Sequence, residues 1–201
     1  TETTEPGRSA PASLATAAAD DTLTPNENLV VEGIPPIPKT LVERVSPYTE
    51  SRAAAFLSWH PNRKEMLIST RFADVAQVHR VAMPLGDRSQ LTFYPERVAW
   101  ASWRPKTGDG FVFSKDVGGG EFFQLYWRDA RGQVAMFTDG KSRNTGGVWA
   151  PGGRWLAFES TKRNGTDTDL YTVDPANPSS ERRILEVQGG GWTTVDVSPD
   201  E

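Results

Sequence analysis

The chain has 201 residues, with 7 Trp, 9 Phe, 18 Gly and 15 Pro but no Cys. The absence of Cys excludes a disulfide framework, a thiolate zinc site and a cysteine nucleophile, and two His leave little for a histidine-based metal centre. The formal net charge of −4 comes entirely from residues 1–28, because residues 29–201 hold equal numbers of acids and bases. A body without basic excess predicts no nucleic-acid partner, and no apolar run is long enough to predict a membrane span.

Residues 1–28 are rich in Thr, Ala, Glu and Pro, and Leu14 and Leu23 are their only large apolar residues. Such a segment cannot bury enough surface to offset the entropy of ordering, so we expect a disordered tail before a domain at 29–201. A leader of this composition is common in exported bacterial proteins after a signal peptide has been removed. It favours a periplasmic or secreted protein over a cytoplasmic one.

One motif recurs four times in the body of the chain. Its copies are Ser58–Pro61, Ser102–Pro105, Val148–Pro151 and Val197–Asp200, and their prolines lie 44, 46 and 48 residues apart. A proline at this point ends a strand, because it has no N–H to donate to a neighbouring strand. The motif therefore marks the end of the first strand of a repeating unit.

Three further strands are predicted after each of the first three copies. The second strands are Met66–Ile68, Phe111–Phe113 and Trp155–Phe158, the third are Gln77–Val81, Gln124–Trp127 and Asp169–Val173, and the fourth are Ser89–Thr92, Gln133–Phe137 and Arg183–Val187. Four short strands in a period of about 40–50 residues are typical of a β-propeller blade. The second strands are continuously apolar, as expected where stacked blades bury both faces of a strand.

The pattern therefore predicts an all-β fold, a partial β-propeller of about three four-stranded blades plus the first strand of another. The alternative is a β-sandwich with coincidental spacing.

The repeat resembles that of TolB-type propellers, most clearly at Trp149–Phe158 and Asp169–Asp174. Four segments resemble the start of the propeller in bacterial serine peptidases of the prolyl oligopeptidase family, namely Val30–Pro38, Pro47–Tyr48, Phe56–Pro61 and Ile68–Phe72. That second resemblance implies a peptide substrate and a C-terminal α/β-hydrolase domain with a Ser-Asp-His triad.

The hydrolase of that family carries its nucleophile in a Gly-x-Ser-x-Gly turn, and this chain has none. The nearest string, Gly140–Asn144, lacks the second Gly. We therefore assign no catalytic, cofactor-binding or metal-binding residue, and expect the chain to be a non-catalytic, substrate-gating part of a peptidase propeller whose hydrolase domain lies outside residues 1–201. The alternatives are a TolB-type scaffold for protein–protein interaction and a propeller lyase or glycosidase, which needs paired carboxylates at the axis.

Other residues have both a functional and a structural interpretation. Asn164, Asp167 and Asp169 offer oxygen ligands for Ca²⁺ but equally suit a hairpin turn. His60 is expected in a turn or at a rim rather than as a base, and His79 lies within a strand. Recurrence of Trp59, Trp103 and Trp149 at one blade position favours core packing over a carbohydrate platform. The charged residues just after the second strands are expected at a solvated rim or in the central funnel; they are Arg71, Lys115, Asp116, Glu159, Lys162 and Arg163.

Overall fold

The computed structural model describes residues 21–189 and 191–200, so most of the predicted disordered tail lies outside the described residues. The chain divides into two compact units, Thr1–Ser51 and Arg52–Glu201. In the first unit, the Leu23 N–H donates to the Ile37 carbonyl over 2.8 Å, and helix α1 spans Lys39–Thr49. The sequence pattern did not predict helix α1. Its apolar residues Leu41, Val42 and Val45 have helical spacing but stay exposed, and Pro47 within the helix is a residue that usually ends one.

The second unit contains three antiparallel sheets of four strands, which confirms the predicted blades. Within each sheet the strands lie side by side in chain order. Blade 1 consists of β1 (Ala55–Trp59), β2 (Met66–Thr70), β3 (Gln77–Val81) and β4 (Arg88–Gln90); blade 2 of β5 (Val98–Trp103), β6 (Gly110–Lys115), β7 (Gln124–Asp129) and β8 (Val134–Met136); and blade 3 of β9 (Asn144–Trp149), β10 (Leu156–Ser160), β11 (Asp169–Asp174) and β12 (Asn177–Leu185).

The fourth copy of the motif, Val197–Asp200, forms no strand, and residues 191–198 carry neither helix nor strand. A first strand takes its hydrogen bonds from the second strand of its own blade, as β1 does from β2 and β9 from β10. The described residues after blade 3 include no such second strand. The expected first strand of a further blade is therefore not paired here.

Two clusters of buried side chains join the blades face to face. Between blades 1 and 2 the cluster contains Leu67, Val78, Val98, Ala101, Trp103, Phe111 and Phe113. Between blades 2 and 3 it contains Val112, Leu125, Trp127, Phe137, Leu156, Phe158, Tyr171 and Val173.

Strand β6 contributes to both clusters. Phe111 and Phe113 enter the first and Val112 enters the second, since alternate side chains of a strand point to opposite faces. All three are 0% exposed. Burial on both faces explains why this strand reads as an unbroken apolar run.

We expect Phe113→Ala to lower the free energy of unfolding by about 3–5 kcal/mol, because it leaves a cavity between two blades. The Phe113 ring stacks on Tyr126 with 5.1 Å between centroids. Denaturant unfolding followed by tryptophan fluorescence measures the loss. The matched control is Phe93→Ala, where the ring is 75% exposed and the change should stay within about 0.5 kcal/mol. Equal losses in the two variants would contradict the buried blade interface.

Candidate functional site: the inner-strand surface

The first strands of the three blades share one concave surface, which we call the inner-strand surface. It encloses about 820 Å³ and is lined by the ends of β1, β5 and β9 and by the turns that follow them. Its large side chains are Trp59, Trp100, Trp103 and Trp149. The first strands also contact each other directly, because the Trp103 N–H donates to Ser58 Oγ over 3.2 Å. This is the side on which the blades converge, where a propeller has its central funnel.

The turns around this surface are tied to one another in series. Asn62 Nδ2 donates to the Lys106 carbonyl over 2.5 Å, joining the turns of blades 1 and 2. Arg104 Nε donates to the Gly153 carbonyl over 2.7 Å, joining those of blades 2 and 3. At Gly153, where φ is +71°, an added Cβ would lie 2.5 Å from the Pro105 carbonyl oxygen, so glycine is required for this close approach. The surface is therefore preformed by the protein itself.

His60 is a buried turn residue. Its Nδ1 accepts hydrogen bonds from the N–H groups of Asn62 and Arg63, at 3.1 and 3.2 Å, and its ring lies 4.8 Å from that of Trp103. Burial, assisted by the positive charge of Arg63, lowers the pKa of His60, so the ring is neutral at pH 7. Because the lone pair on Nδ1 is already engaged, that nitrogen is not available as a base.

The residue that follows the Trp of the motif fills the space between one blade and the next, and we call it the spacer position. This role explains why the residue type differs from one copy of the motif to another. In blade 2 it is Arg104, whose guanidinium lies 5.8 Å from the Trp149 ring centroid and donates to Asp174 over 2.6 Å. In blade 3 it is Ala150, which is fully buried. Spacing within the sequence gave no signal for this role, because the contacts join different repeats.

The three motif tryptophans do not share one environment. Trp103 is 8% exposed and belongs to the cluster between blades 1 and 2, and Trp149 packs against the next cluster. Trp59 is 63% exposed and contacts Phe56, with 5.3 Å between ring centroids. The expectation of core packing thus does not hold for Trp59. It lies on the face of blade 1 that no other sheet of the described residues covers.

Lys115 lies between blades rather than in the funnel. Its side chain is almost fully buried, and Nζ donates to Glu96 Oε2 over 3.1 Å and lies 4.9 Å from the Tyr94 ring centroid. The hydrogen bond from Lys115 lowers the pKa of the Glu96 carboxyl. Lys162 is likewise used within its blade, where it pairs with Glu181 and lies over the Tyr171 ring.

The acids considered for Ca²⁺ are bound by an arginine. Arg163 Nε donates to Asp169 Oδ2 over 2.6 Å, and Arg163 Nη2 donates to Asp167 over 3.1 Å. The hydrogen bond from Arg163 is the main reason that the pKa of Asp169 falls to about 2. Asn164 Nδ2 donates to Asp167 within the same turn. Within residues 21–189 and 191–200, no group of three or more His, Asp or Glu side chains could hold a metal ion.

Glu159 is also fully buried, at the end of β10 that adjoins the start of β9. Its Oε2 accepts from Thr145 Oγ1 over 3.1 Å, and its Oε1 accepts from the Thr194 N–H over 2.6 Å. A Cβ on Gly146 would lie 2.3 Å from Oε2, so glycine makes room for the carboxylate. Glu159 thus holds the segment after blade 3 against that blade.

Two charged residues from the sequence analysis remain, Arg71 and Asp116. Arg71 is exposed, and Asp116 accepts a hydrogen bond from the Glu121 N–H over 3.2 Å.

The residue that opens each third strand holds the connection to the next blade. Gln77 Nε2 donates to the Tyr94 and Glu96 carbonyls, at 3.0 and 2.9 Å. Gln124 accepts from the Gly140 N–H and donates to the Ser142 carbonyl, and Asp169 accepts from the Val187 N–H. The repeat marked these three positions in the sequence, but their long-range partners were not visible there. We call these three residues and their backbone partners the clasp.

Comparison with known proteins supports the fold. No protein-family profile and no curated protein matches the chain. A solved structure described as TolB from Agrobacterium tumefaciens is 24% identical, with a TM-score of 0.53 over 68% of this chain and 47% of its own. A structure from a study of two prolyl endopeptidases is 14% identical, with a TM-score of 0.62 over 81% of this chain and 27% of its own. An oligogalacturonate lyase in complex with manganese is 13% identical, with a TM-score of 0.51 over 69% of this chain and 42% of its own.

These likenesses confirm the predicted resemblance to TolB-type and prolyl endopeptidase propellers at the level of the fold. The chain spans less than half the length of each of these structures. None of the helices among the described residues is both long and apolar enough to cross a membrane.

We expect the stability of the protein to fall as the pH drops from about 4 to about 2, partly through Asp169. Its carboxyl has a pKa of about 2 in the folded chain, against about 3.9 when unfolded, so the unfolded state binds more protons in this range. Asp169→Asn should flatten this part of the pH profile of unfolding free energy. Asp74→Asn, at an exposed position, should leave the slope unchanged. Identical slopes in wild type and Asp169→Asn would contradict the assignment.

Proposed function

We propose that residues 29–201 are the non-catalytic, substrate-gating part of a propeller that belongs to a serine peptidase of the prolyl oligopeptidase family. The extent of structural similarity supports this assignment. The prolyl endopeptidase match covers 81% of the chain, whereas Arg52–Glu201 makes up about three quarters of it. The match therefore extends into the first unit, which also holds the peptidase-like sequence Val30–Pro38.

The inner-strand surface supplies a physical basis for this role. Hydrogen bonds between the blades keep it rigid, and the stacked blades form a wall that admits an extended peptide but excludes a folded protein. The aromatic rings that line this surface, among them Trp59, offer flat apolar surfaces on which peptide side chains, including proline rings, can pack. The acyl-transfer chemistry in this proposal belongs to a Ser-Asp-His triad outside residues 1–201.

The alternative function is a TolB-type interaction scaffold, favoured by the 24% identity with the Agrobacterium tumefaciens structure. A protein partner would then occupy the inner-strand surface, and no hydrolase would follow. The lyase or glycosidase alternative needs carboxylates at the axis, and the described residues that line this surface include no Asp or Glu. For either the peptidase or the scaffold, a periplasmic or secreted location remains our proposal.

The complete translation product of the gene, compared with the 201-residue chain, tests the peptidase proposal. We expect a Gly-x-Ser-x-Gly turn followed by Asp and His beyond residue 201, and hydrolysis of a chromogenic prolyl peptide that a serine-directed inhibitor abolishes. The 201-residue chain should show no turnover. A product without that turn and without hydrolysis would overturn the peptidase proposal and favour the scaffold.

Trp59→Ala in the complete product tests the inner-strand surface. We expect a several-fold rise in KM for the peptide with kcat unchanged, since Trp59 would contribute to binding but not to the chemical step. Trp192→Ala is the matched control, because Trp192 is 59% exposed, nearly as much as Trp59, and lies outside this surface. The same KM in wild type and Trp59→Ala would contradict passage of substrate along this surface.

A further inference from the structure

Two arginines face each other across the interface between blades 1 and 2. Arg80 of β3 pairs with Leu67 of β2, and Leu67 is buried in the cluster between these blades. Arg128 of β7 pairs with Phe111 of β6, which is buried in the same cluster. Directly paired residues of neighbouring strands point to the same side of a sheet. Arg80 therefore faces blade 2, and Arg128 faces blade 1.

No acidic side chain among the described residues forms an ion pair with either guanidinium. Arg80 Nε is buried and has no hydrogen-bond partner. The Arg128 guanidinium carbon lies 5.6 Å from the Phe111 ring centroid. The neighbouring acid, Asp129, uses Oδ1 to accept the N–H groups of Arg131 and Gln133, at 2.9 and 2.8 Å.

The electrostatics of Arg128 reflect this arrangement. Burial lowers its pKa, and the positive charge of Arg80 lowers it further, although Asp129 and Tyr94 act in the opposite direction. Two like charges that have lost part of their hydration repel each other unless an anion lies between them. Elsewhere in this interface charge is compensated, since Lys115 is paired with Glu96.

We propose that Arg80 and Arg128 form a binding site for an oxyanion, a carboxylate or phosphate group held by both guanidiniums between blades 1 and 2. The planar fork of a guanidinium donates two parallel hydrogen bonds to such a group. Leu67 and Phe111, next to the two arginines, pair with Ser58 and Trp103 of the first strands. The site therefore lies at the same end of the blades as the inner-strand surface, but on the third strands. It does not depend on the proposed peptidase function.

Calorimetric titration of the purified chain with inorganic phosphate, and separately with acetate, tests the site at ionic strength held constant with chloride. We expect saturable binding of one oxyanion per chain. Arg80→Met and Arg128→Met should each weaken it about tenfold or more, because each removes charge-assisted hydrogen bonds. Arg131→Met, at an exposed position in the hairpin after β7, should leave the affinity unchanged.

Arg128→Lys is the control for loss of folding, because lysine keeps the charge and the apolar stem but lacks the planar fork of the guanidinium. We expect a folded chain by circular dichroism with weakened oxyanion binding. Binding of both anions with the same dependence on the two arginines supports a carboxylate-bearing ligand, and binding of phosphate alone supports a phosphoryl group. Absence of saturable binding, or equal affinity in wild type and both Met variants, would overturn the proposal. A higher unfolding temperature in the Met variants, together with no effect of either anion on the unfolding temperature of the wild type, would also overturn the proposal.

Discussion

Burial of aromatic and aliphatic side chains between neighbouring blades is the interaction on which the rest of the structure depends. A four-stranded sheet with two apolar faces is not stable alone in water, because both faces need cover. In blade 2, β6 sends Phe111 and Phe113 towards one neighbour and Val112 towards the other. This two-sided burial accounts for the apolar second strands, and it places the polar residues at strand ends and turns, where the other interactions of the molecule are made.

Polar contacts keep the stacked blades in register. The clasp fixes the connection that leaves each blade, as Gln77 does for the residues leading into blade 2. At the opposite ends of the strands the spacer position sets the contact with the next blade, through His60 against Trp103 and Arg104 against Trp149. The clasp and the spacer contacts thus lie at the two ends of the strands, on either side of the apolar clusters. Hydrogen bonds between the blades also fix the concave surface formed by the first strands.

Several charged groups of the described residues are part of this framework. Asp169 is neutralised by Arg163, and Lys115 by Glu96, so neither acts as a free charge in the funnel. Both pairs hold neighbouring segments of the blades together. Arg80 and Arg128 are the exception in the interface between blades 1 and 2, because each faces the other rather than an acid. An oxyanion bridging them would add an electrostatic contact near the otherwise neutral, aromatic inner-strand surface.

The sequence by itself determined the period, the order of the strands and the three four-stranded blades, because local apolar runs, prolines and turn residues record which segments pair. It also marked the residues of the clasp by their position. Only the tertiary structure decided which repeats of one motif are buried, since Trp103 has a blade on each side of its interface and Trp59 does not. It likewise decided the partners of Lys115 and Asp169 that lie far along the chain. Glu96 is 19 residues from Lys115, and Val187 is 18 residues from Asp169. Helix α1 was not predicted because Pro38 precedes it and Pro47 lies within it, and prolines so placed usually indicate a loop.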